Sequence, residues 1–118
     1  MLFTHPMRPT ATAQTGLPPA VLTQMVDVLR RHPEVERAVL FGSRAKGSAR
    51  PNSDIDLALF GAVPTLVVER IAEELDELPT PYLFDLQAIE GLQNPALLEH
   101  IQRVGVGIYS AAQAPALP

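Results

Sequence analysis

The sequence places a glycine–serine pair, Gly42-Ser43, ten residues before two aspartates, Asp54 and Asp56. A glycine in a turn lets a phosphate group approach the backbone N–H groups closely. Carboxylate oxygens are the ligands that Mg²⁺ prefers, and the ion is commonly held by one or two of them together with substrate phosphates. The two pairs together therefore predict a site that binds a phosphate and a divalent cation.

The residues around the first pair predict a strand, a turn and a short helix. The run Val39-Leu40-Phe41 is short and apolar, which favours a buried β-strand that ends at Gly42. Ser43 is predicted to be the N-cap of a helix at 44–48, whose free N–H groups would face the phosphate, with Arg44 adding positive charge. The alternative is an ordinary capped helix after a strand, without a ligand.

The aspartate pair lies at the start of a second predicted strand. Alternate residues of a strand share a face, so Asp54 and Asp56 would project together, about 6.6 Å apart along the strand. Ile55, Leu57 and Leu59 would face the opposite way, into a core. Two neighbouring carboxylates repel each other unless a cation such as Mg²⁺ binds between them. The alternative is a solvated strand end, where the pair only marks a turn.

A third carboxylate, Asp85, interrupts an apolar run at 82–88 that is predicted to be another strand. An acidic side chain inside a hydrophobic strand is costly unless it is paired or bound to a metal. Asp85 is therefore predicted to lie at the end of the sheet near Asp54 and Asp56. A salt bridge elsewhere is the alternative.

Three helices and a last strand are predicted around these segments. Apolar stripes, prolines and glycines place the helices at 18–31, 64–78 and 94–104, and the strand at 106–110. The ends, 1–16 and 111–118, have no periodic pattern and are expected to be a disordered arm and a flexible tail. The pattern predicts one α/β (α+β) domain at 17–110.

The second of these helices has an apolar stripe and an acidic face. Leu66, Val67, Ile71 and Leu75 are predicted to face inward, and glutamates such as Glu74 to face solvent.

Of the three histidines, His5 lies in the predicted arm, His32 at a helix end, and His100 in the last helix without a nearby acidic cluster at ligand spacing. Structural roles are expected for all three, since histidines beside helix ends commonly interact with the helix dipole.

Composition limits the class of protein. The 118 residues suit one domain with a modest core, and the absence of cysteine excludes a disulfide framework and a thiolate zinc site. No signal-peptide pattern and no apolar stretch of about 20 residues is present, so a cytoplasmic protein without a membrane partner is expected. With 9 basic and 13 acidic residues the net charge is −4, which argues against direct nucleic-acid binding.

The motifs resemble those of the nucleotidyltransferase fold of polymerase-β-type enzymes, and most closely the minimal nucleotidyltransferases. The resemblance covers roughly residues 20 to 110 and lies in the Gly-Ser pair, the ten-residue gap, the Asp-x-Asp pair and the later isolated aspartate. It includes the flanking residues Arg44, Gly47, Pro51 and Ser53 and the ending Gly107-Ile108-Tyr109. It implies the nucleotidyltransferase fold, a small mixed sheet flanked by helices.

The resemblance also implies a function. Members of this subgroup typically act as antitoxins beside a HEPN-type ribonuclease toxin, and several transfer AMP from ATP to a tyrosine of that toxin. For this chain the implied nucleotide-binding residues are Gly42, Ser43 and Arg44, and the implied catalytic and metal-binding residues are Asp54, Asp56 and Asp85. The three aspartates would hold two Mg²⁺ ions, and Asp85 would also orient or accept the proton of the attacking hydroxyl group.

The acceptor is expected to be another protein, because no remaining segment is long enough to form a separate acceptor pocket. Two alternatives remain open: an antitoxin that neutralises the toxin by binding alone, and a small-molecule nucleotidyltransferase of the aminoglycoside-modifying type. No residue identifies the base, so ATP follows from the resemblance only.

Overall fold

The computed structural model describes residues 15–46 and 54–111. Its elements, in chain order, are α1 (Pro19–Arg30), β1 (Arg37–Phe41), α2 (Ser43–Lys46), β2 (Ile55–Phe60), α3 (Thr65–Asp76), β3 (Phe84–Ala88), α4 (Pro95–Val104) and β4 (Val106–Ser110). The three longer helices and β4 lie where the sequence predicted them, whereas β3 begins two residues later than predicted. The predicted arm and tail lie outside the described residues except for Thr15, Gly16 and Ala111.

The four strands form one mixed sheet in the order β3-β2-β1-β4, which confirms the predicted small mixed sheet. Strand β1 pairs antiparallel with β2 and β4, and β2 pairs parallel with β3. Register places Phe41 opposite Asp56 and Asp56 beside Asp85. The end of β1 and the beginnings of β2 and β3 therefore meet at one end of the sheet.

Helices cover the sheet on both faces. The larger core lies between one face and helices α1 and α3, and it contains Ile55, Leu57 and Leu59, which are fully buried as predicted. On the other face a smaller cluster joins Val39, Phe41, Ala58 and Ile101 of α4. Because side chains alternate along a strand, Asp56 shares this second face with Ala58. The carboxylate thus lies at the edge of the smaller core. Across the described ranges, no helix has the length and apolar character needed to cross a lipid bilayer.

The predicted inward position of Leu66 is wrong, since this side chain is 69% exposed. Leu66 precedes Ile71 by five residues, which at 3.6 residues per turn puts it about 140° around the helix from Ile71. Ile71 and Leu75, one helical turn apart, form the fully buried stripe. Helix α3 is thus buried along a narrower face than its apolar residues predicted.

Glu74 also departs from its predicted solvent-facing position. Its Oε1 lies 2.9 Å from Nε2 of His32, which is buried just after the end of α1, and 3.7 Å from the Arg31 guanidinium. His32 therefore does not act through the helix dipole alone but connects α1 to α3 through a hydrogen bond. This contact anchors the two helices that cover the larger core.

We expect Glu74→Ala to lower the free energy of unfolding by about 1 kcal/mol, because it leaves the buried His32 nitrogen without its partner. Urea denaturation of the wild type and the variant measures the difference. Glu73→Ala, which removes an exposed carboxylate from the neighbouring position, should change stability by less than about 0.5 kcal/mol. Equal losses in the two variants would show that the His32–Glu74 hydrogen bond contributes nothing.

Candidate functional site

The turn after β1 brings the glycine–serine pair against the aspartates. Gly42 has φ of 76°, in the left-handed region that glycine adopts without strain. A Cβ atom added to Gly42 would overlap Oδ2 of Asp56. The position therefore requires glycine for two reasons, its backbone conformation and the Asp56 carboxylate packed against it.

Helix α2 begins at Ser43, directly after the turn. The N–H of Lys46 donates to the carbonyl of Gly42 at 3.1 Å, which is the first bond of the helix. Because the N-cap residue supplies that carbonyl, Gly42 and not Ser43 occupies the capping position, and the predicted N-cap was wrong by one residue. Residues 47 and 48 of the predicted helix lie outside the described residues.

The three aspartates lie together at the end of the sheet, as predicted for their positions. Asp56 and Asp85 are register partners on adjacent parallel strands, whose backbones are about 4.8 Å apart. Asp54 precedes β2 by one residue and is exposed like Asp85, whereas Asp56 is half-buried. The more buried carboxylate therefore has a negative charge on either side.

Burial raises the pKa of Asp56, and the charges of Asp85 and then Asp54 raise it further. The three groups fit Mg²⁺ by chemistry, since all supply hard oxygen ligands and a cation would offset their repulsion. In the part of the chain that the structure describes, no group of three such side chains converges closely enough to hold an ion. The ligand types suit Mg²⁺, whereas a three-ligand group is not formed among the described residues.

We expect Asp56→Asn to raise the melting temperature of the metal-free protein by a few degrees at pH 7. The raised pKa of Asp56 means that the folded state favours the protonated carboxyl group. The stabilisation from this protonated group is fully present below the ordinary pKa of 3.8, and it is lost as pH rises through the higher pKa of the folded state. Thermal melting of both proteins at several pH values measures the gap between them. The gap should shrink as pH falls toward 4, and a variant that melts below the wild type at pH 7 would contradict the expectation.

Arg44, predicted to bind the nucleotide, is buried in this structure. Its Nη1 donates to the Thr15 carbonyl at 3.2 Å, and the guanidinium carbon lies 4.9 Å from the centre of the Tyr82 ring. The first contact connects α2 to the segment before α1, and the second connects it to the segment before β3. The role of Arg44 at the nucleotide remains a prediction.

The sequence pattern did not indicate His100 as part of the site. The Gly42 N–H donates to Nε2 of His100 at 3.3 Å, and the imidazole meets the Phe41 ring edge-on with centroids 6.2 Å apart. His100 is the residue before Ile101, which packs into the smaller core. The apolar Ile101 was the one sequence feature that indicated a position of His100 close to the sheet. The contact of His100 with Gly42 itself depends on tertiary packing.

Comparison with known proteins agrees with this geometry. The family model for polymerase beta nucleotidyltransferases matches residues 23–114. No curated protein matches the chain.

Solved structures show the same fold at low identity. A toxin–antitoxin complex with AMP-PNP has a TM-score of 0.65 and 23% identity over 78% of this chain and 75% of that one. A tri-AMPylated HEPN toxin of Shewanella oneidensis in complex with an MNT antitoxin gives 0.60 and 20% over 80% and 73%. A putative nucleotidyltransferase from Sulfolobus solfataricus gives 0.53 and 13% over 94% and 96%.

Proposed function

The chain belongs to the polymerase β nucleotidyltransferase family, and from this premise we propose that it transfers AMP from ATP to a hydroxyl group of a partner protein. The observation that carries the proposal is the contact of the Gly42 turn with Asp56, whose strand partner is Asp85. One small region thus combines backbone donors suited to phosphate with carboxylates suited to a cation.

The turn would bind the terminal phosphates of the nucleotide. Gly42 has no side chain that would keep a phosphate away from its N–H, and Ser43 adds a second N–H and a hydroxyl group. Arg44 would add positive charge from beside the turn if its guanidinium exchanged the Thr15 carbonyl for the nucleotide. The phosphates would then lie next to the three carboxylates.

Asp54, Asp56 and Asp85 would hold Mg²⁺. Bound there, the metal would supply charge neutralisation on the triphosphate and a lower pKa for the attacking hydroxyl group. Asp85, the exposed strand partner of Asp56, is placed to accept the proton of that hydroxyl. The acceptor oxygen forms a bond to the α-phosphorus, the bond from that phosphorus to the bridging oxygen breaks, and pyrophosphate leaves with the electron pair.

We propose a HEPN-type toxin as the partner and one of its tyrosines as the acceptor, which makes the chain an antitoxin. The support is that structures of the same fold include a tri-AMPylated HEPN toxin in complex with an MNT antitoxin and a toxin–antitoxin complex with AMP-PNP. Among the residues that the structure describes at this end of the sheet, Asp54 and Asp85 are exposed, as a site that acts on a protein acceptor requires.

Co-expression with a HEPN-type toxin tests this proposal. Intact-mass spectrometry of the purified toxin should show one or more AMP-sized additions, and peptide sequencing should place them on tyrosine. An unmodified toxin that is nevertheless neutralised, with equal protection by the Asp54→Asn, Asp56→Asn double variant, would instead establish an antitoxin that acts by binding alone.

A further inference from the structure

His100 lies against the Gly42 N–H, one of the backbone donors of the turn that is proposed to bind phosphate. Its Nε2 accepts the Gly42 N–H at 3.3 Å, and the half-buried ring is held edge-on against Phe41. An acceptor at Nε2 carries a lone pair there, so the neutral imidazole in this arrangement has its proton on Nδ1. A phosphate oxygen that accepts a hydrogen bond from the Gly42 N–H would therefore lie next to Nε2 of His100.

The sheet places His100 on the side of the carboxylates. Directly paired strand residues share a face, so Phe41, Asp56 and Asp85 all project toward the face that α4 covers. Gly42 then lies between two side chains, with the Asp56 carboxylate where its Cβ would be and His100 at its N–H. The histidine thus faces the space beside the turn together with the carboxylates.

We propose that His100 is a phosphate-binding residue of the nucleotide site, an inference that rests on the proposed function. When a phosphate oxygen takes the Gly42 N–H, the imidazole gives up its acceptor role, gains a proton on Nε2 and donates to the same phosphate. Such a charge-assisted hydrogen bond is roughly twice as strong as a neutral one. His100 would in this way exchange the Gly42 N–H for the phosphate as its own hydrogen-bond partner, and it would add one positive charge beside the turn.

The charged groups around His100 permit this exchange. Asp56 lies on the other side of Gly42, and Arg44 and Lys46 belong to α2, which follows the turn. Glu99 and Arg103 on α4 are exposed and paired with each other at 3.1 Å. On β1 the ring contacts Phe41, which is uncharged.

Binding of tripolyphosphate and of ATP, each with Mg²⁺, tests the proposal without any acceptor protein. Calorimetric titration should show dissociation constants about tenfold higher or more for His100→Ala than for wild type, for both ligands. His100→Gln, whose amide can donate to a phosphate, should recover part of that loss. Gln102→Ala, an exposed change on the same helix, should bind like wild type.

The ¹⁵N spectrum of wild-type His100 supplies a readout that a purely structural histidine would not give. Addition of tripolyphosphate should convert Nε2 from an acceptor nitrogen to a protonated one. An unchanged His100 spectrum with normal ligand binding, or equal affinity of His100→Ala and wild type, overturns this inference and leaves the proposed function standing. Failure of the folded wild type to bind either ligand overturns both.

Discussion

The double variant Asp54→Asn, Asp56→Asn is expected to transfer nucleotide at least about a thousandfold more slowly than the wild type. Asparagine keeps the shape of aspartate but removes the negative charge with which the site would hold Mg²⁺, and metal stabilisation of a phosphoryl transition state contributes several kcal/mol. Initial rates of transfer to the partner toxin, at saturating ATP and Mg²⁺, measure the effect.

Unfolding does not account for such a loss, since Asp56 is the carboxylate whose charged form burial disfavours, and its neutral replacement should stabilise the metal-free fold. Asp27→Asn combined with Asp76→Asn makes the same change in net charge at two exposed positions and should retain the full rate. A double site variant within tenfold of the wild type would mean that these carboxylates do not act in the transfer.

The second large effect is expected for Gly42→Ala, which should reduce transfer by a hundredfold or more. The new Cβ overlaps Oδ2 of Asp56, so either the carboxylate or the turn must move, and groups misplaced by about 1 Å can lower rates on the order of a hundredfold. Alanine at φ 76° also adds strain on the order of 1–2 kcal/mol. Transfer rates and urea denaturation separate the catalytic loss from the loss of stability.

Gly91→Ala is the matched control, because Gly91 has φ of 85° and a Cβ there would meet no atom within 4 Å. It should lose stability through backbone strain alone and keep its transfer rate. If Gly42→Ala and Gly91→Ala lost stability equally and both stayed active, the contact between the Gly42 turn and Asp56 would have no functional meaning.

Much of this architecture was predictable because local patterns and tertiary structure agree. The alternation at Ile55, Leu57 and Leu59 correctly predicted which face of β2 is buried. Asp85 lies beside Asp56 as predicted, but its side chain is exposed, so the desolvation cost from which this position was predicted does not apply. The prediction of the inward face of α3 was only partly right, because Ile71 and Leu75 are buried whereas Leu66 is exposed.

Contacts that depend on how the helices pack against the sheet could not be predicted from local sequence patterns. His100 and Gly42 are joined only because α4 covers the face of the sheet opposite α1 and α3. The Arg44 guanidinium contacts Thr15 and Tyr82, and neither contact leaves a periodic pattern in the sequence.

The most direct test of nucleotidyl transfer compares ATP labelled on the α-phosphate with ATP labelled on the γ-phosphate. The purified chain is incubated with each nucleotide, Mg²⁺ and a HEPN-type toxin, and label on the toxin is measured. The proposed reaction predicts toxin labelled from the α-phosphate only, with the γ-label released as pyrophosphate, and no labelling by the Asp54→Asn, Asp56→Asn variant. Labelling from the γ-phosphate, or no labelling from the α-phosphate of ATP, GTP, CTP or UTP, would contradict it.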